Sequence, residues 1–277
     1  MRITEWIQLG FALTFALAAW MTTFTTRPLP HRRRWNVTIL ALAAVVIIGF
    51  VHMLRPYLPA TSFALALDCM TVALFLIPYW QTGQFFLAPN LNAQAKLLAI
   101  DQRLLPHASA TSGTSRSLIG ATLEIAYLSC YPLVPLALTA VYAFNLRPHV
   151  EGFWLVLLLS TYLCYAATPF VPAYPPRSLT PAPTSIPAPT GKTRLFNLFI
   201  LKHGSIHAIS FPSAHVASAF AIALTLLYYA PPIGVVFLII AIMISLGAVI
   251  GRYHYATDVI LGAITALAIF LICLPWL

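Results

Sequence analysis

Two short polar stretches near the C-terminal end hold the residue types that could do chemistry. They are Pro212-Ser213-Ala214-His215 and Arg252-Tyr253-His254, with Asp258 four residues beyond His254. On a helix, positions four apart share a face about one turn apart. A carboxylate bonded to one imidazole nitrogen sets the tautomer and leaves the other nitrogen as nucleophile or base. His215, preceded by small residues, has an ionisation range suited to protonating a leaving oxygen, and the Ser213 hydroxyl can add a hydrogen bond to an anion. Arg177 and Arg252 are of the type that grips phosphate in bidentate fashion. A helix starting near Ala256 would also point its N-terminus at a phosphate. Each stretch alone has a plainer reading: a structural His/Asp pair, or an N-cap serine beside an interfacial histidine. Together they read as a functional site, because ionisable groups are costly at membrane helices.

The membrane follows from composition. The 277 residues are 60% hydrophobic and only 8% charged, with a mean hydropathy of +0.87, whereas soluble domains carry about 25% charged residues. The net charge of +9 does not indicate nucleic acid, because the cations fall in short loops between apolar runs, where they orient a membrane protein or meet anionic headgroups. Cys69, Cys130, Cys164 and Cys273 lie in apolar runs without CxxC spacing and read as small buried hydrophobes rather than disulfides or metal ligands. The run from Trp6 to Phe24 has one cation before it and Arg27, Arg32, Arg33 and Arg34 after it, the flanks of a retained anchor rather than a signal peptide.

Stretches of about 20 apolar residues are the length of a spanning helix. Eight occur, at 6–25, 36–54, 61–80, 118–144, 152–170, 211–230, 233–252 and 256–276. The third carries Asp68 and ends at Pro78. Over 84–116, Leu91, Ala95, Leu98 and Leu105 alternate with Lys96, Asp101 and Arg103, the pattern of a short interfacial amphipathic helix followed by a loop. The longest polar excursion, 171–210, is too proline-rich for helix across 172–189. With eight spans, both polar stretches fall on one side, and the Pro231-Pro232 hairpin returns the chain to it. That side holds twelve of the fifteen Lys and Arg residues, all but Arg2, Arg55 and Arg147. The positive-inside rule makes it cytoplasmic.

Phe211-Pro212-Ser213-Ala214-His215-Val216 and Gly251-Arg252-Tyr253-His254-Tyr255, with Asp258-Val259 beyond, resemble the second and third motifs of the type 2 phosphatidic acid phosphatase superfamily. Glu124, Tyr127, Ser129, Tyr131 and Pro132, with the Pro175-Pro176-Arg177 turn, resemble its inositolphosphotransferase (inositol phosphorylceramide synthase-like) branch. The resemblance covers 118–277. It implies a six-helix phosphatase core in that C-terminal part of an all-α polytopic membrane bundle of about eight spans; residues 1–117, outside the resemblance, read as N-terminal membrane helices plus the interfacial amphipathic segment. It implies that His254 attacks phosphorus to form a phosphohistidine, Asp258 orients it and His215 protonates the leaving group, without metal or other cofactor. The family's first motif, a lysine with Arg-Pro seven residues on, is absent, so the phosphate falls to Arg177, Ser213 and Arg252. Lys192, Arg194 or Lys202 are substitutes, and Glu124 and Lys202 are supporting residues, Glu124 either pairing with Arg177 or Arg252 or hydrogen-bonding to neighbouring helices. Ala214 stands where the family has glycine, and Ala248 where it has arginine. Well-known members face the exoplasm or lumen, against the charge count.

The leading expectation is therefore a lipid-phosphate phosphatase acting on a lipid phosphate or diphosphate in the bilayer. Transfer of the phosphoryl headgroup to an alcohol such as inositol is the alternative. From another class come a non-enzymatic lipid carrier, which would need polar groups at mid-membrane, and an inactive scaffold. His203 and His207 read as loop residues, and Asp68 as structural. His31, His52, His107 and His149 read as interfacial residues without partners.

Overall fold

The computed structural model describes the chain except at 26–27, 106–117, 180–190 and 207, and the described residues form helices and no strand. The helices are α1 (Ile3–Met21), α2 (His31–Met53), α3 (Ala60–Leu74), α4 (Ile77–Gln84), α5 (Leu91–Leu104), α6 (Leu118–Leu128), α7 (Leu133–Ala143), α8 (Val150–Ala167), α9 (Lys192–Gly204), α10 (Ala214–Tyr229), α11 (Pro231–Ile250) and α12 (Ala256–Cys273).

All eight apolar segments are helical, but they are not eight uniform spans. Six stretches, Ile3–Phe24, His31–Tyr57, Ala60–Gln84, Arg147–Phe170, Pro231–Ile250 and Ala256–Trp276, are long and apolar enough to cross a membrane. The segment predicted at 118–144 is α6 and α7, bent by 72° where Ser129–Pro132 interrupt them. Proline lacks an N–H and its ring opposes the preceding turn, so it stands at the start of α7 and not inside a continuous helix. The segment predicted at 211–230 starts at Ala214, giving 16 residues. Ser213 is extended and caps it, its side chain accepting from Val216 N–H. Pro231 and Pro232 open α11 directly after α10, where their missing N–H groups cost nothing.

The bundle is apolar outside and selectively polar inside. Leu17, Val46, Phe50, Ile239, Ile264 and Leu271 are exposed, while Glu5, Gln8, Asp68 and Gln81 are buried. In water such a surface would aggregate; against lipid chains it is solvated. Asp68 is structural, accepting from Arg2 at 2.7 Å and from Trp154 Nε1 at 3.0 Å. His52 corrects its expectation: it pairs with the buried Glu5 at 2.8 Å. His149 likewise stacks on Tyr229, and His31 accepts from Trp35; His107 lies outside the described residues. Of the four free cysteines, Cys164 and Cys273 are buried, Cys130 is half-buried and Cys69 is exposed on α3.

Contacts sort the loops onto two ends. At one end Arg2 meets Asp68, Arg147 bonds Thr61 O at 3.1 Å, and Tyr229 Oη bonds the C-terminal Leu277 O at 2.8 Å. At the other, Arg33 bonds Phe86 O at 2.6 Å, Asn90 N bonds Pro172 O at 2.7 Å and Arg177 N bonds Arg252 O at 3.0 Å. Both polar stretches lie at this second end, away from both termini. At the centre α10 presents Ala217, Ala221 and Ile222 to a core that includes Trp154, Leu157 and Leu158 of α8. Small side chains allow this close approach.

Candidate active site

The two polar stretches meet because α12 packs tightly on the start of α10. Ser213 N donates to Asp258 O at 2.9 Å. A Cβ on Gly262 would lie 2.5 Å from Ser213 O, so only glycine permits this spacing. The approach brings the His215 and His254 rings to 5.6 Å between centroids. His254 Nδ1 lies 3.0 Å from Asp258 Oδ2, and both side chains are almost wholly buried. With Asp258 ionised, the carboxylate accepts only, so that Nδ1 carries the proton and Nε2 keeps its lone pair. Burial, and then the charge of Arg177, push His254 down to about 3, which keeps the imidazole neutral near pH 7.

His215, His254 and Arg177 line one cavity of about 340 Å³. Arg177 reaches it from the loop after α8: its backbone N–H bonds Arg252 O, and its guanidinium lies 5.6 Å from the Tyr253 ring centre and 3.4 Å from Tyr253 O. Burial holds its pKa below the ordinary arginine value. Among the described residues, His215 Nδ1 is buried without a hydrogen-bond partner, and its ring lies against Tyr127 and Tyr131. The rest of the lining is largely aliphatic and aromatic, with Val72 from α3, Phe75 and Leu76 from the link that follows it, and Tyr79 and Trp80 from α4.

The other predicted site residues stand around this cavity without lining it. Ser213 is fully buried as the α10 cap. Arg252 is half-exposed with φ 58°, in the left-handed region unusual for a side chain other than glycine, asparagine or aspartate. It supplies its carbonyl to Arg177. Lys202 is exposed on α9, as is His203; His207 lies outside the described residues.

Glu124 follows the second of its two expectations, bonding to a neighbouring helix rather than pairing with Arg177 or Arg252 among the described residues. Its partner is Arg194, at 3.2 Å, with Asn197 and Tyr253 Oη each donating at 2.5 Å. Arg194 also donates to Gly251 O at 2.8 Å and lies 4.6 Å from the Tyr253 ring centre, while Tyr253 stacks on Tyr127. This network ties α6 and α9 to the loop that carries His254. Sequence reading missed Asn197 and gave Arg194 a substrate role; the available signal was Arg194, Asn197 and Leu201 at helical spacing, and these three are the buried face of α9. The phosphate expected at the α12 N-terminus also meets a different arrangement. The first N–H of that helix, on Ala256, donates to Asp101 at 2.8 Å.

Comparison with known families gives one finding: residues 95–272 match the model of the PAP2 superfamily, the phosphatidic acid phosphatases of the motif resemblance. No curated protein and no solved structure matches the chain significantly.

Proposed function

The chain belongs to the PAP2 superfamily, and from that premise we propose that it is an integral membrane phosphatase acting on a lipid-linked phosphate through a phosphohistidine at His254. The observation that carries the reading is His254, held by Asp258 through Nδ1, in one cavity with His215 and Arg177. Nε2 of His254 donates its lone pair to phosphorus. The bond from phosphorus to the lipid oxygen breaks, and His215, carrying a proton taken up together with the substrate phosphate, delivers it to the leaving oxygen. Arg177 holds the non-bridging oxygens. In the second step water attacks phosphorus, His215 takes its proton, and the phosphorus–nitrogen bond breaks to release phosphate and restore His254.

The largely apolar lining favours hydrolysis over transfer to inositol. A polyol acceptor would need its hydroxyls matched by hydrogen-bonding groups, whereas a hydrocarbon chain fits walls of phenylalanine, leucine and tryptophan. The same lining supports a lipid substrate. The site lies at the end of the bundle away from Arg2, Arg55 and Arg147, and the charge bias favours a cytoplasmic face.

The test uses purified protein in micelles with a panel of lipid monophosphates and diphosphates, with and without inositol. Phosphate release is expected equally in both arms and is lost in His254→Ala, which remains folded. Release that depends on inositol would replace hydrolysis with transfer. Full activity in His254→Ala would end the phosphohistidine reading.

A further inference from the structure

The amphipathic helix α5 is tied along one face to the segments that build the candidate active site. Its positions 90, 94, 97 and 101, from the cap into the last turn, share a face at helical spacing, and each engages a segment of the candidate active site. Asn90 caps α5 with its side chain and bonds Pro172 O through its backbone N–H at 2.7 Å. Gln94 Oε1 accepts from Tyr174 N at 3.1 Å, three residues before Arg177. Leu97 is buried in a cluster with Ala173, Ile209 and Tyr255. Asp101 Oδ1 accepts from Ala256 N at 2.8 Å. Tyr255 completes the join by donating to Tyr174 O at 3.0 Å.

The Asp101 bond answers a deficiency in α12. A helix leaves its first N–H groups unsatisfied unless the cap residue or another group accepts from them. Here the cap residue is Tyr255, which has no side-chain oxygen that can turn back onto the helix, and no such bond is made. Asp101 supplies the oxygen from a different helix, and its carboxylate is electrostatically matched to the N-terminal dipole. The capped turn is the one that holds Asp258 against His254.

We propose that α5 is a splint for the candidate active site and that Asp101 is its positioning residue, capping α12 so that Asp258 stays aimed at His254. The inference rests on the phosphatase reading for its kinetic consequence. Asp101 touches neither the cavity nor the reacting atoms in this arrangement; it acts through the first turn of α12. Gln94 acts in parallel on the loop that delivers Arg177.

The test compares full-length wild type, Asp101→Ala, Asp101→Asn and Gln94→Ala in micelles, with phosphatidic acid as the probe substrate. Asp101→Ala is expected to lose about tenfold or more in kcat with KM within about twofold, since a small misplacement of reacting groups acts on the chemical step. Asparagine caps helices about as well as aspartate, so Asp101→Asn is expected to keep most of the wild-type kcat. Gln94→Ala is expected to raise KM several-fold with kcat retained. Hydrogen exchange provides the readout that needs no activity: Asp101→Ala should speed exchange at 256–258, and Asp101→Asn should not. An active wild type with Asp101→Ala unchanged in kcat would overturn the inference, as would equal losses in the alanine and asparagine variants. A wild type without phosphatase activity would defeat the functional reading, and the exchange comparison would still decide the role of Asp101. If Asp101→Ala is not recovered folded, a Gln94→Ala variant with unchanged KM overturns the splint.

Discussion

The His254–Asp258 contact yields the sharpest prediction, through Asp258→Asn. The exchange keeps the shape of the side chain and the backbone bond from Ser213 N to Asp258 O, so the packing of α10 on α12 is retained. Two things are lost. An amide can present its NH2 group to Nδ1, which would move the ring proton to Nε2 and remove the attacking lone pair. The positive charge that the ring gains on phosphorylation also loses its counter-charge. For unit charges at the observed 3.0 Å and an effective dielectric of about 20, that interaction is about 5 kcal/mol. At about 1.4 kcal/mol per decade it corresponds to a loss of roughly 10³–10⁴-fold. Removing the buried aspartate of a Ser-His-Asp triad by the same substitution costs about 10⁴, which agrees. The assay is phosphate release from phosphatidic acid in micelles, with kcat and KM separated and thermal unfolding measured on the same sample. The expected result is a fall in kcat of at least about 10³ with the unfolding transition preserved. A loss of less than about tenfold in a folded variant would refute the assignment of Asp258 as the group that sets the His254 tautomer.

Two further outcomes follow from the packing. Arg194 and Glu124 are paired with side chains only 6% and 5% exposed; Arg194→Met or Glu124→Gln alone should cost about 3–5 kcal/mol by leaving the partner's charge buried. The double variant should recover much of that in unfolding by increasing detergent denaturant, and simple additivity would count against the pair as a coupled unit. Gly262→Ala, whose Cβ would lie 2.5 Å from Ser213 O, should destabilise by about 1–3 kcal/mol and lower kcat by moving His254 away from His215; wild-type kcat and stability would show that α12 has room to spare.

Much of the architecture was legible because a membrane bundle writes its elements as long apolar runs. All eight segments proved helical, and the amphipathic part of 84–116 is α5, while the loop expected after it falls at 106–117, outside the described residues. What patterning could not show was continuity. A run of apolar residues at 118–144 contains Pro132, which permits a break but does not fix its angle; the 72° bend at Ser129–Pro132 accompanies the packing of α6 on α9 and α11 and of α7 on α10. The candidate site divides in the same way. His254 and Asp258 are legible as a pair because they are close in sequence and share a helical face. Arg194 was visible as a cation, yet nothing local distinguishes a cation that grips phosphate from one that neutralises Glu124, a partner seventy positions away.

The sequence by itself determined a polytopic helical membrane protein, the two histidine stretches, and the family to which they point, because hydropathy, spacing and motif are one-dimensional properties. Tertiary structure alone decided which residues face the cavity. Arg177 does, whereas Ser213 caps α10 and Arg252 supplies a carbonyl. It also decided that Asp101, from a helix more than a hundred residues upstream, closes the N-terminus of α12. The physical reason is the same in each case. Buried polar groups must find partners, and the partner is chosen by which backbones come within hydrogen-bond distance, which only the packed bundle determines.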